Sequence, residues 1–201
     1  MKTTIAPLVL SFLIASAAVP RAGAMPQHDG TNAANAAAAS IPADVTVHEH
    51  DGVYRVTATF TVERSAPVVF AVLTGYEQIP RYMPDVRSSR VIERKDGHAV
   101  VEQEAVARML MFSKRVHLLL EVREEPHLIR FRDRCGKSFA YYEGAWTLSA
   151  ADATEGDRVS VRYELAAKPS FDVPEFLLKR LLKRDAQEMI RRLRDEMTRR
   201  Q

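Results

Sequence analysis

The stretch Pro174–Arg200, PEFLLKRLLKRDAQEMIRRLRDEMTRR, has the clearest periodicity in the chain. Its apolar residues recur every three or four positions, which is the spacing of an amphipathic helix. They are Leu178, Leu182, Ala186, Met189, Leu193 and Met197, with Leu177, Leu181 and Ile190 beside them. Pro174 fits the first helical position, and Asp172 fits an N-cap. At about 1.5 Å per residue the helix would be about 40 Å long, so it needs a large apolar surface to cover it.

The sequence before this helix predicts a sheet that could supply that surface. Residues 45–50 and 53–62 indicate a hairpin around Asp51-Gly52, a pair typical of tight hairpin turns. Two short helices are predicted next, between Ser65 and Gly75 and over 76–82. Six further strands follow, at 87–94, 98–109, 112–125, 128–132, 139–148 and 158–167. Consecutive strands joined by tight turns, with helices grouped at the ends, predict an antiparallel α+β fold.

Alternation along the strands shows which face of the sheet is apolar. That face carries Val101, Gln103, Ala105, Ala107, Met109, Val116, Leu118, Leu120, Val122, Ile129, Phe131, Tyr142, Gly144, Trp146, Leu148, Val159, Val161, Tyr163 and Leu165. Its polar groups are the side chains of Gln103, Tyr142 and Tyr163 and the indole N–H of Trp146. A mostly apolar cavity with a few polar groups is typical of a small-molecule site. The alternative is a filled core in which these groups bond to one another or to the backbone.

The first 24 residues have the features of a secretory signal peptide. Lys2 is a short positive region, residues 5–18 are apolar, and Ala22-Gly23-Ala24 is a small-residue cleavage site. An uncleaved membrane anchor is the alternative. Residues 25–41 predict a disordered linker, because they contain almost no large apolar side chains. We therefore expect a folded ligand-binding domain over 42–201, in a protein that is periplasmic or secreted after cleavage near Ala24.

The net positive charge of the chain is concentrated on the last helix. The chain has 29 Lys and Arg against 26 Asp and Glu, a net charge of +3. From Pro174 onward, nine basic residues stand against five acidic ones, which gives +4 (9 − 5). This face could dock on an anionic membrane surface, or it could simply be a solvated helix face. Nucleic acid is a poor partner for an exported protein.

Side chains that could do chemistry are sparse. His48 and His50 share one side of a strand, but two imidazoles make only a weak metal site. Cys135 is the only cysteine, so it cannot form an internal disulfide, and no base is placed to activate it. Glu102 and Glu104 share the outer face of a strand, where solvated carboxylates are expected. The sequence therefore predicts no metal, no cofactor and no catalytic constellation.

Three segments resemble a known family. Residues 70–86, FAVLTGYEQIPRYMPDV, resemble a conserved stretch of the START-like (SRPBCC) superfamily, in its polyketide cyclase/dehydrase and coenzyme Q-binding branch. Glu143-Gly-Ala-Trp146 resembles a strand of that family, and residues 172–178 resemble its entry to the last helix. The resemblance covers about residues 53–198. It implies a helix-grip fold, in which a seven-stranded antiparallel sheet wraps around the C-terminal helix and two short helices follow the first strand.

The resemblance also implies a cavity for a hydrophobic molecule, such as a lipid or quinone. The residues expected to line it are Tyr76, Tyr82, Met83, Gln103, Ala105, Met109, Leu118, Leu120, Phe131, Tyr142, Trp146, Tyr163, Leu178, Leu182 and Met189. A non-enzymatic carrier or sensor is the leading hypothesis. One alternative is a cyclase or aromatase in which Tyr142 or Tyr163 acts as acid or oxyanion donor. Another is a membrane-surface or protein-interaction module.

Overall fold

A single sheet of eight strands and one long helix dominate the computed structural model of the protein, which describes residues 43–108, 113–151 and 158–200. The strands are β1 (Asp44–His50), β2 (Val53–Glu63), β3 (Val86–Lys95), β4 (His98–Arg108), β5 (Ser113–Glu125), β6 (Leu128–Asp133), β7 (Phe139–Ala150) and β8 (Arg158–Pro169). The helices are α1 (Ala66–Thr74), a 3₁₀ turn (Tyr76–Gln78), α2 (Ile79–Tyr82) and α3 (Glu175–Arg199). The predicted signal peptide, 1–24, and linker, 25–41, lie outside the described residues.

The sheet is antiparallel throughout, in the order β1-β2-β8-β7-β6-β5-β4-β3. This confirms the predicted α+β helix-grip fold but corrects the strand number, which is eight and not seven. The strand beyond the seven that the resemblance implied is β1, the first strand of the hairpin predicted from the sequence; it pairs with β2 along its whole length and buries Val45. The short helices consequently follow the second strand. Asp51 and Gly52 turn the first hairpin with φ values of 53° and 76°, the positive values that a two-residue turn of this kind requires.

Helix α3 covers the apolar face of the sheet with one side. Its buried residues are Leu178, Leu181, Ala186, Ile190, Leu193 and Met197. Pro174 has ψ 131° and is the N-cap residue rather than the first helical one, and Asp172 lies two positions too early to cap. The part of the chain described here contains no helix that is both long enough and apolar enough to cross a membrane.

In the loop after β6, the Asp133 side chain accepts hydrogen bonds from backbone N–H groups that have no strand partner. Because β6 ends at Asp133, Leu119 on β5 has no β6 residue opposite it, and its N–H donates to the Asp133 carboxylate at 2.8 Å. The backbone N–H groups of Cys135 (3.2 Å) and Gly136 (2.9 Å) donate to the same carboxylate. Burial alone would raise the pKa of Asp133, but these bonds, with one from the Cys135 thiol, hold it below its ordinary value. Cys135 therefore has a structural role in this turn.

Candidate functional site

A cavity of about 420 Å³ lies between the inner face of the sheet, the α1–α2 segment and α3. Its walls are mainly apolar, because strand alternation puts one continuous set of large side chains on this face. Strands β4–β8 contribute Gln103, Ala105, Val116, Leu118, Leu120, Val122, Ile129, Phe131, Phe139, Tyr142, Trp146 and Tyr163. The α1–α2 segment contributes Leu73, Tyr76, Ile79, Tyr82 and Met83, and α3 contributes Met189 and Leu193.

Aromatic rings from β6, β7 and β8 form one wall of the cavity. The ring centroids of Trp146 and Tyr163 are 4.3 Å apart, and those of Phe139 and Tyr142 are 4.8 Å apart. Phe131 lies 6.0 Å from Tyr142 and joins these rings into one cluster. Such distances are typical of favourable aromatic pairs, and the tilted rings present both faces and edges to the cavity.

Three hydrogen-bond donors in this wall have no partner among the described residues. The hydroxyls of Tyr142 and Tyr163 and the indole N–H of Trp146 make no hydrogen bond to a described residue, although all three residues line the cavity. Burial, with the nearby charge of Asp133, raises the pKa of Tyr142 to about 12. Burial also raises the pKa of Tyr163 well above its ordinary value. Both phenols are therefore neutral donors at any physiological pH.

The other two tyrosines of the cavity have their hydroxyls engaged. Tyr76 donates to a Glu124 carboxylate oxygen at 2.8 Å, and Arg94 lies 3.3 Å from the other oxygen of that carboxylate. Tyr82 donates to the Val72 carbonyl oxygen at 3.4 Å. Their rings therefore supply apolar wall, while their polar atoms attach the short helices to the sheet and to each other.

A polar amide and a charged mouth complete the site. Gln103 donates its amide N–H to the Ser89 hydroxyl at 3.1 Å, which holds the side chain against the wall. The mouth is lined by Asp85, Arg108, Arg184, Asp185, Glu188 and Arg192. Arg108 lies 3.0 Å from Asp85, and Arg192 lies 2.6 Å from Glu188. Charge is therefore confined to the solvent end, and the interior is suited to an apolar molecule with few polar atoms.

Twelve of the fifteen residues expected at the site line this cavity: Tyr76, Tyr82, Met83, Gln103, Ala105, Leu118, Leu120, Phe131, Tyr142, Trp146, Tyr163 and Met189. Met109 lies outside the described residues. Leu178 and Leu182 do not line the cavity, because α3 reaches it only from Arg184 onward. Leu178 is buried with Tyr54 and Leu181 in a separate cluster, and Leu182 packs against both this cluster and the main core.

Several cavity residues were missed by the sequence reasoning. Val116, Val122 and Ile129 lie on the predicted apolar face, so alternation already indicated them. Leu73 and Ile79 come from the short helices, where the sequence does not show which side turns inward. Among the described residues, no group of three His, Cys, Asp or Glu side chains is arranged to hold a metal ion.

The buried phenols predict a loss of stability in alkali. The Tyr142 pKa is raised from 10.0 to about 12, so its contribution to stability is complete below pH 10, where both states are protonated. Above that pH the unfolded chain loses the proton first, and the free energy of unfolding should fall up to about pH 12. Urea unfolding at a series of alkaline pH values would measure this. Tyr142→Phe should flatten the decline, and an unchanged slope in that variant would contradict the assignment.

Comparison with known proteins agrees with this geometry. The family model described as polyketide cyclase / dehydrase and lipid transport matches residues 62–194. Among solved structures, the Zhui aromatase/cyclase from Streptomyces sp. R1128 is 15% identical with a TM-score of 0.61, and the match covers 74% of this chain and 95% of that one. A STAR-related lipid transfer protein from Xanthomonas axonopodis is 18% identical with a TM-score of 0.58, and the match covers 79% and 100%.

Human STARD10 is 11% identical with a TM-score of 0.59, and the match covers 80% of this chain and 74% of that chain. At these identities the structural matches establish the fold alone. No curated protein sequence matches the chain significantly. Because the family model spans more than half of the chain, this protein belongs to the polyketide cyclase/dehydrase and lipid transport family.

Proposed function

We propose that this protein is an exported binding protein that holds one hydrophobic molecule between the sheet and α3. The observation that supports this most directly is the apolar cavity of about 420 Å³, whose aromatic wall carries three donors without a partner among the described residues. Because these donors face the cavity space, a ligand bound there could supply their acceptor. Family membership supports the same class of function, the binding of a hydrophobic molecule, because the family name includes lipid transport.

The dimensions and polarity of the cavity favour a particular kind of ligand. A volume of about 420 Å³ is near the lower end of the roughly 300–1,000 Å³ of drug-sized sites. One ring system or one acyl chain suits that volume better than a two-chain phospholipid. Tyr142, Tyr163 and Trp146 all donate, so the buried end of the ligand should carry an acceptor such as a carbonyl oxygen. A quinone or a single-chain lipid carbonyl meets both requirements.

Native mass spectrometry of the full chain purified from its producing cell tests the binding proposal. We expect a stoichiometric adduct that organic extraction releases as a carbonyl-bearing apolar molecule. A second arm titrates the protein with menadione, a small quinone, and follows the fluorescence of Trp146, the only tryptophan in the chain. If the protein carries no adduct and menadione causes no saturable quenching, the binding proposal is wrong.

Replacing Tyr142 by phenylalanine isolates the role of its hydroxyl. Loss of one neutral hydrogen bond corresponds to about 1 kcal/mol, so menadione affinity should fall about fivefold. Tyr141→Phe is the matched control, because Tyr141 is the adjacent residue, is 40% exposed and lies outside the cavity. Equal affinities in the two variants would show that the Tyr142 hydroxyl does not hold the ligand.

The export part of the proposal rests on the sequence of residues 1–24 alone. If it is correct, the mature protein begins near Met25 and is found outside the cytoplasm. Cell fractionation followed by N-terminal sequencing of the mature chain measures both properties. An intact N-terminus on cytoplasmic protein would remove the export part and leave the cavity proposal unaffected.

Docking of α3 on an anionic membrane remains a prediction. Ion pairs along the helix neutralise several of its basic side chains and so weaken the expected attraction to the membrane. Glu188 binds Arg191 at 2.7 Å and Arg192 at 2.6 Å, and Glu175 pairs with Lys179. These pairs reduce the charge available to lipid headgroups. Flotation with anionic liposomes should show binding at low salt that is lost at high salt, and binding that ignores salt would argue against an electrostatic surface.

A further inference from the structure

A second concavity, of about 670 Å³, lies on the outer face of the sheet, which points away from the ligand cavity. Strand register aligns its residues in rows that run across the strands. One row consists of Thr57, Glu164, Ala145, Arg130, Arg123 and His98, from β2 to β4. In the neighbouring row Arg55 lies opposite Ala166, and Arg132 lies opposite Glu121.

Small side chains make the centre of this surface a depression. Ala145 and Ala166 occupy the middle of the two rows, on β7 and β8, and long charged side chains surround them. Ala166 is only 7% exposed although it is on the outer face, because its neighbours rise above it. A ligand could therefore lie against an apolar floor while its charged group meets the rim. We define this surface, with its floor at Ala145 and Ala166, as the outer groove.

Basic side chains cluster at one end of the outer groove. Arg123 lies directly opposite Arg130 on one side and opposite His98 on the other. Like charges placed directly opposite each other on adjacent strands are destabilising unless something neutralises them. Glu125 neutralises Arg130 at 2.8 Å, but Arg123 has no ion pair within the described part of the chain. The cluster therefore retains an unbalanced guanidinium.

Two of the three acidic residues of the outer groove are already paired with arginines other than Arg123. Glu121 pairs with Arg132 at 2.7 Å, and Glu164 pairs with Arg162 at 2.8 Å. Glu143 remains, but it lies in the other row and across β6 from Arg123. An external anion is thus the group best suited to balance Arg123.

We propose that the outer groove is a binding site for a phosphate group, held by Arg123 together with Arg130. Guanidinium groups donate two parallel N–H bonds to an oxyanion, and two neighbouring arginines can share one phosphate. The organic part of the molecule would lie over Ala145 and Ala166. The phosphate belongs either to a soluble phosphate ester or to a phospholipid headgroup, and both present the same oxygens to the arginines. This site is separate from the cavity and does not depend on the proposed function.

Isothermal titration with inorganic pyrophosphate on the full chain tests the soluble source. We expect saturable binding in the wild type, weakened at least tenfold in Arg123→Gln, because a charge-assisted bidentate contact is lost. Arg87→Gln is the matched control, because this substitution removes the same charge from a strand. Arg87 is exposed and lies outside the groove. The control should stay within about twofold of wild type, and equal weakening in both variants would overturn the site.

Vesicles containing phosphatidic acid test the lipid source with the same three proteins. Flotation that is reduced by Arg123→Gln and unchanged by Arg87→Gln assigns the phosphate to a lipid headgroup. Pyrophosphate binding without such flotation assigns it to a soluble phosphate ester. If the wild-type protein binds neither pyrophosphate nor the vesicles, the proposal is wrong. Thermal midpoints of the variants, measured in parallel, ensure that a loss of binding does not come from unfolding.

Discussion

Replacing Ala105 by phenylalanine is expected to lower menadione affinity at least 100-fold while the protein stays folded. Ala105 lies on β4, and its small side chain forms part of the cavity wall. A benzyl group there would occupy volume that the ligand needs. The cavity has a volume of about 420 Å³, so little space would remain for the ring system of menadione. Filling an existing cavity adds apolar contacts, so stability should be preserved or slightly increased.

Quenching of Trp146 fluorescence measures this effect directly, because Trp146 lines the same cavity. Ala71→Phe is the matched control, since it introduces the same side chain at an exposed position on α1 that does not line the cavity. The control should quench like wild type. Wild-type menadione affinity in Ala105→Phe, together with an unchanged fold, would show that the ligand does not occupy the space beside β4.

Replacing Gly144 by alanine is expected to cost about 3 kcal/mol of folding free energy, the upper end of the usual overpacking range. A Cβ atom at this position would lie 2.5 Å from Cζ of Phe131 and closer still to the backbone oxygen of Glu164. Phe131 lies directly opposite Gly144 on the neighbouring strand, so its ring occupies the space that a side chain would need. The backbone oxygen cannot move without breaking the β7–β8 pairing.

The thermal midpoint should fall by about 6–12 °C, since a domain of this size shifts about 2–4 °C per kcal/mol. Gly136→Ala is the matched control. Gly136 has φ 62° in the loop after β6, and the nearest atom to an added Cβ lies 3.9 Å away. That variant should lose only the roughly 1–2 kcal/mol of a left-handed alanine. A smaller loss at Gly144 than at Gly136 would contradict the prediction, because it would mean that both the Phe131 ring and the β7–β8 pairing accommodate the added Cβ atom.

The Gly144 position also shows where sequence reasoning stops. Alternation assigned Gly144 and Phe131 to the same apolar face, which the structure confirms. Without the register between β6 and β7, the sequence could not show that the ring lies over the glycine. The smallness of Gly144 was compatible either with close approach of α3 or with an empty space. The structure instead shows an aromatic ring from the adjacent strand.

The long helix was predicted almost to the residue, but its orientation was not. Residues at spacings of three and four must share a face, so the apolar stripe was readable. Leu178 and Met189 belong to the same stripe, yet the first lies in a separate cluster and the second lines the cavity. The difference depends on where the helix axis crosses the sheet, and no periodicity within the helix contains that information.

Side-chain period and the tight turns between consecutive strands determined that this chain forms an antiparallel sheet with one apolar face and a long amphipathic helix to cover it. Those properties are local, because each strand or helix sets its own spacing of buried residues. Tertiary structure decided which tyrosine hydroxyls have a hydrogen-bond partner. The Tyr76 hydroxyl donates to Glu124, while those of Tyr142 and Tyr163 have no partner among the described residues. It also decided that Arg123 lies directly opposite Arg130 on the adjacent strand. Tyr76 and Glu124 are far apart in the chain, and the Arg123–Arg130 pairing depends on the register of the β5–β6 hairpin. Neither contact is contained in the side-chain spacing of a single strand.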